Sequence, residues 1–181
     1  MRKLKVTELN RISVEEFKEA EKLPLIVVLD NVRSVYNVGS VFRTCDAFRI
    51  ESIYLCGISA QPPQIELHKT ALGAEFTVDW QYFKNTKDAV KYLQNQGYVV
   101  YSVEQAEGSI MLQNIELDKS KKYAIVMGHE VKGVEQEVVD MCDGCIEIPQ
   151  YGTKHSLNVS VTTGIVIWDF FKSWNTLHDF E

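Results

Sequence analysis

The chain has 181 residues, 45% of them hydrophobic and 24% charged, with a formal net charge of −6. Those totals predict one globular domain with a sizeable core, and they exclude two full domains, a membrane span of roughly 20 apolar residues and an indiscriminately basic nucleic-acid binder. Met1-Arg-Lys-Leu-Lys5 leads into acidic sequence rather than an apolar signal core, so a cytoplasmic location is expected.

Ser13 with Glu16 fits a capping box, and Val14, Phe17, Ala20 and Leu23 mark a helical stripe ending before Pro24. Residues 1–24 thus read as a basic arm (Arg2, Lys3, Lys5, Arg11) with one helix, ahead of a main domain over 25–174 and a short tail at 175–181. Leu25–Leu29 is an unbroken apolar run, the pattern of a strand buried on both faces of a parallel sheet. A polar loop from Asp30 leads into a helix with Val38, Val41, Phe42, Cys45 and Phe48 inward, and then a strand at Ile53–Cys56. Strand, helix, strand predicts a parallel pair with a right-handed crossover.

Beyond the Pro62-Pro63 loop, the pattern predicts a short helix over Ile65–Leu72, a strand over Phe76–Trp80, a helix over Thr86–Gln96 and a strand over Tyr98–Val103. A less regular segment leads to a strand at Tyr123–Met127, then Gly128-His-Glu-Val-Lys-Gly133 and a short helix to about Cys142. A short buried strand starts near Ile146, Pro149 and Gly152 turn the chain, and an apolar helical run enters at Ser156. Ser156 can cap that helix. Asn158 and Ser160 then fall in its first turns, where both are poor helix formers, which a ligand or bonds back to the preceding turn would explain. The alternation predicts an α/β domain, a mostly parallel sheet with helices on both faces and ligands at the carboxyl ends of its strands.

Cys45, Cys56, Cys142 and Cys145 have the apolar neighbours of reduced thiols, and the C-x-x-C at 142–145 lacks a second pair or a nearby histidine, so no metal is expected. Lys119, Lys121 and Lys122 offer a second local basic cluster for phosphate contacts. Three loops at strand ends carry the candidate site residues: Asn31, Arg33, Asn37, Gly39 and Arg43; Gly128, Glu130 and Gly133; and the turn from Pro149 to Asn158. None contains G-x-G-x-x-G or G-x-x-x-x-G-K-[ST], which disfavours a dinucleotide oxidoreductase or an ATPase.

Asn37-Val-Gly-Ser-Val-Phe-Arg43, Ile125-Val-Met-Gly-His-Glu-Val-Lys-Gly133 and Ile148-Pro-Gln-Tyr-Gly-Thr-Lys-His-Ser-Leu-Asn-Val-Ser-Val161 together resemble the three motifs of the SpoU/TrmH branch of the SPOUT RNA methyltransferases, over about Leu25 to Trp174. The resemblance implies methyl transfer from S-adenosylmethionine to a ribose 2′-hydroxyl, a C-terminal trefoil knot, and a homodimer with its active site near the interface. It makes Arg43 the central catalytic residue, supported by Asn37 and Glu130, with Ser156 and Asn158 orienting ribose or phosphate. Gly128, Ile148 and Leu157 match the cofactor-pocket positions, and Val103 or Glu104 closes the preceding strand beside them. Arg33 and Lys154 join Arg43 as candidate RNA contacts. Arg49 departs from the family, standing where a glycine often ends the first motif's helix.

Methyl transfer from a sulfonium requires donor and hydroxyl to be aligned and the hydroxyl proton removed, and needs no metal. A guanidinium is effectively always protonated, so Arg43 is read as a bidentate clamp on RNA phosphate, the proton leaving to that phosphate or to water. His155, beside Ser156, is the other candidate base, and His129 a weaker one. The competing reading is a non-catalytic RNA-binding member of the same fold, against which Arg43, Glu130, Ser156 and Asn158 all speak. The length leaves no room for the extra N-terminal RNA-binding domain of many ribosomal-RNA members, and with the basic arm this favours transfer RNA over ribosomal RNA.

Overall fold

The computed structural model describes residues 1–175; of the expected C-terminal tail, 176–181 lie outside the described residues. The first helix, α1 (Val14–Glu19), opens on the expected capping box: the Ser13 hydroxyl accepts from Glu16 N at 3.1 Å and the Glu16 carboxylate accepts from Ser13 N at 2.6 Å. It ends earlier than its apolar stripe. Leu23 and Pro24 already belong to strand β1 (Leu23–Asp30), because Leu23 N donates to Arg49 O at 2.8 Å and its side chain enters the main core.

Strand β1 lies between β2 (Ile50–Cys56) and β6 (Lys122–Met127) in a seven-stranded sheet of order β3-β2-β1-β6-β4-β7-β5, with every pairing parallel. The other strands are β3 (Trp80–Phe83), β4 (Tyr98–Val103), β5 (Ile110–Met111) and β7 (Gly144–Glu147). The first three strands step outward from β1 to one edge, and β4 to β7 fill the other half. Strand order therefore reverses beside β1, and the loops after β1, β6, β4 and β7 gather where α/β sheets bind ligands.

Both faces are covered, as the unbroken apolar strands require. Leu25, Val27 and Leu29 of β1 point into a core shared with α2 (Val35–Ala47), α3 (Ile65–Ala71) and α7 (Val159–Asn175), while Ile26 and Val28 point to α5 (Thr86–Asn95) and α6 (Gln136–Met141). Gly39 lets α2 lie close on α3, since a Cβ there would stand 2.1 Å from Thr70 Oγ1 and 2.5 Å from Leu67 O.

The expected strand over Phe76–Trp80 does not form. Ala74–Thr77 is a short helix, α4, and the strand starts only at Trp80. Buried Ala74 and Val78 follow helical rather than alternating spacing, and Thr77 Oγ1 returns a hydrogen bond to Ala74 O at 3.0 Å. The less regular segment after β4 holds β5, two residues long and invisible to pattern. Helix α7 begins at Val159 rather than Ser156. Asn158 precedes it and acts as its cap, its Oδ1 accepting from Ser160 N at 2.9 Å and Val161 N at 3.4 Å, so the amide suffers no helix-propensity penalty. Ser156 is exposed and makes no hydrogen bond among the described residues.

Candidate active site

The loops that follow β1, β6 and β7 are joined by a chain of side-chain hydrogen bonds. The Glu130 carboxylate, after β6, accepts from Arg33 N at 3.0 Å, Ser34 N at 2.8 Å and Asn37 Nδ2 at 3.0 Å, all at the start of α2. Asn37 Oδ1 then accepts from Asn158 Nδ2 at 3.2 Å, which reaches the cap of α7. One residue from each motif therefore takes part. Partial burial pushes the Glu130 carboxyl up, but the amides of Ser34 and Arg33 and the Asn37 side chain outweigh it and hold it below the usual glutamate range. It is a carboxylate at neutral pH, placed at a helix N-terminus where negative charge is favoured.

Beside this chain a cavity of about 1060 Å3 opens between the loops after β4, β6 and β7. Val103, Glu104, Gly128, Ile148 and Leu157 all line it, with Glu130, Ser156 and Asn158. Gly128 is dictated by space, because a Cβ there would stand 2.2 Å from both Gly133 C and Val134 N. The 128–134 loop is folded on itself by paired bonds between His129 and Gly133 at 3.0 and 2.8 Å, and His129 Nδ1 accepts from Val131 N at 3.0 Å, which commits that ring to the turn. Glu104 braces the same loop, its carboxylate accepting from Val134 N at 3.1 Å and Gln105 N at 2.8 Å. Glu104 is thereby a support of the pocket wall as well as part of its lining.

The donor set indicates what the cavity can hold. Val103, Met127, Ile148 and Leu157 supply apolar wall for a flat ring, the strand ends supply backbone donors and acceptors, and Glu104, Glu107, Glu130 and Asp140 outnumber Lys132. An acidic, part-apolar cleft suits a cationic ligand with an aromatic group such as S-adenosylmethionine, and repels a polyphosphate.

Arg43 lies on α2 outside this lining, exposed, its side chain without a hydrogen bond or ion pair among the described residues; the side chains of Arg33 and Lys154 stand in the same state at the loop surfaces. The guanidinium of Arg43 is therefore available to an external anion. Sequence reasoning missed two residues. Asp30, 1% exposed at the end of β1, accepts from Asn31 Nδ2 at 3.0 Å, from the Thr86 hydroxyl and from Glu135 N at 3.1 Å, and so anchors the start of α6 behind the 128–134 loop. An aspartate closing an apolar strand was the available signal. Gln105, whose Nε2 donates to His155 O at 2.6 Å, had none. In the C-x-x-C, burial pushes the Cys142 thiol up to about 12, so it is no poised thiolate, and Cys145 Sγ donates to Glu104 O at 3.4 Å.

Residues 24–168 match the model of the SpoU rRNA Methylase family. The chain is 30% identical over 159 residues to a tRNA (guanosine(18)-2′-O)-methyltransferase of Aquifex aeolicus, covering 86% of this chain and 72% of that protein. The solved structure of the A. aeolicus TrmH/SpoU tRNA modifying enzyme superposes with a TM-score of 0.79 at 28% identity, over 91% of this chain and 81% of that one. An AdoMet-bound rRNA methyltransferase from Sinorhizobium meliloti gives 0.77 at 29% identity, over 84% of this chain and 60% of that longer chain. With three motifs joined around one cavity and a family match across most of its length, the chain belongs to the SpoU rRNA methylase family.

Proposed function

We propose that this protein is an S-adenosylmethionine-dependent RNA methyltransferase that modifies a ribose 2′-hydroxyl. The observation that carries this reading is the Glu130–Asn37–Asn158 chain, which holds the start of α2 and the cap of α7 against the rim of the acidic cavity. The bound cofactor supplies an electrophilic methyl on a sulfonium. The protein's own contribution is placement: Gly128, Ile148 and Leu157 form the pocket wall, Val103 and Glu104 close its β4 side, and Glu130 and Asn37 fix the start of α2. Asn158 commits its oxygen to the α7 cap and one amide hydrogen to Asn37, leaving the other for a substrate oxygen beside the free Ser156 hydroxyl. Arg43 clamps the RNA phosphate, with Arg33 and Lys154 as further phosphate contacts.

The substrate we favour is transfer RNA, bound in part by the exposed basic residues Arg2, Lys3, Lys5 and Arg11 of the N-terminal arm, with the domain that starts at β1 (Leu23–Asp30) as the catalytic part. The active form is a homodimer. Its support is a stripe on α7, Val161, Ile165 and Trp168, left 51%, 37% and 53% exposed, on the helix against which the Arg43-bearing α2 packs. The passage from β6 to α7 forms the trefoil knot of the family, a reading supported by β6 lying between β1 and β4 with β7 beyond. A cytoplasmic location is our reading, supported by four free cysteines and by an RNA substrate; among the described residues no helix is long and apolar enough to cross a membrane.

Incubation with methyl-labelled cofactor and total RNA tests the function. Label is expected in RNA, at a linkage that resists alkali because its 2′-hydroxyl is blocked. Cofactor binding without transfer to any RNA would favour the non-catalytic reading, and label in an alkali-sensitive position would exclude ribose methylation.

A further inference from the structure

The cavity's third wall is held unusually lightly. From Gln150 to Asn158 every residue is exposed, yet Gln150, His155, Ser156 and Leu157 all line the cavity. Among the described residues, the segment from Pro149 to Leu157 makes a single hydrogen bond, from Gln105 Nε2 to His155 O at 2.6 Å. Gln105 is itself well placed to hold something. Its backbone N donates to the Glu104 carboxylate at 2.8 Å, that carboxylate braces Val134 N, and Glu104 N donates to Ile146 O at 3.0 Å, so the residue stands on a rigid strand end.

We infer that Gln105 is a positioning residue, a latch that holds the 149–157 segment closed over the cofactor and sets how fast the cofactor leaves. The inference rests on the cofactor reading above and adds to it a residue outside the three motifs. A neutral amide suits a latch, because it donates one bond to a backbone carbonyl with no buried charge to desolvate, so opening and closing stay within reach of thermal motion. Removing the bond leaves the strand end intact and affects only the wall that must move.

The test uses the full-length protein with S-adenosylmethionine. Gln105→Ala, and Gln105→Glu with the same shape but no donor, are expected to raise the cofactor Kd and dissociation rate roughly fivefold, the factor one ordinary hydrogen bond supplies. KM for the cofactor should rise in step while kcat at saturating cofactor changes less than twofold. Gln105→Lys, which restores a donor of similar reach, should return the dissociation rate towards wild type, a rescue that general loss of stability would not give. All three should unfold within a few degrees of wild type. Unchanged dissociation in both Gln105→Ala and Gln105→Glu would overturn the latch while leaving the cofactor reading intact. A wild-type protein that binds no S-adenosylmethionine would overturn that reading, and the latch with it.

Discussion

Replacing Glu130 with glutamine probes the side chain that joins two of the three loops. The carboxylate accepts three hydrogen bonds, from Arg33 N, Ser34 N and Asn37 Nδ2 at 3.0, 2.8 and 3.0 Å. Glutamine can keep its oxygen towards Ser34 N and Asn37, but its amide then faces Arg33 N, donor against donor, and the charge at the N-terminus of α2 is gone. A charge-assisted bond is worth about 1.5–3 kcal/mol when buried; with Glu130 only part-buried, a loss of about 1–2 kcal/mol at pH 7 is expected, or ~2–8 °C in Tm for a chain of this size. The pH dependence fixes the cause. Because the folded-state pKa is depressed, this stabilisation is fully present above the ordinary glutamate value of about 4.3 and is lost as pH falls through the folded value. Thermal unfolding of both proteins between pH 7 and pH 3 should therefore show a gap that narrows only at the acid end. A gap independent of pH, or none at pH 7, would refute the assignment of Glu130 as the charged clasp.

Gly128→Ala should abolish measurable cofactor binding by calorimetry and lower stability by about 1–3 kcal/mol, since the added methyl meets the backbone of Gly133 and Val134 at 2.2 Å; retained affinity would show that the loop does not form the pocket wall. Arg49 holds φ +48, the left-handed region that a glycine adopts freely, so Arg49→Gly should stabilise by about 0.5–1 kcal/mol, read as a rise in Tm. Arg43→Lys should leave Tm within about a degree, because the exposed guanidinium has no protein partner among the described residues, yet lower kcat at least roughly tenfold by replacing a planar fork with a point charge. A near-normal rate would exclude the bidentate clamp.

Much of the fold was legible because its strands are buried on both faces. Leu25–Leu29 and Tyr98–Val103 read as strands without tertiary knowledge, and the Ser13–Glu16 box marks the first helix correctly. The failure at Phe76–Trp80 came where apolar residues are too few to establish a period, and β5 is held by its partner β7 rather than by its own composition. Sheet order, with β6 between β1 and β4, follows from packing that no local pattern records.

The site was legible through its motifs, less so in what each residue does. Glu130 and Asn37, expected as supports, are bonded to one another. Asn158 looks like a misfit inside a helix when only the sequence is read, whereas it caps that helix and reaches Asn37 as well, two duties met by one amide with a carbonyl and an NH2. Asp30 and Gln105 act on distant backbone atoms, at Glu135 and His155, contacts that exist only once the chain has folded.

Hydrogen exchange with and without S-adenosylmethionine bears most directly on whether the loops after β4, β6 and β7 enclose one cofactor. Saturating cofactor should slow amide exchange together in 103–107, 128–134 and 148–158, with little change along the outer strands β2 and β3. Protection confined to the basic arm or to that outer edge, with those three segments unchanged, would contradict it.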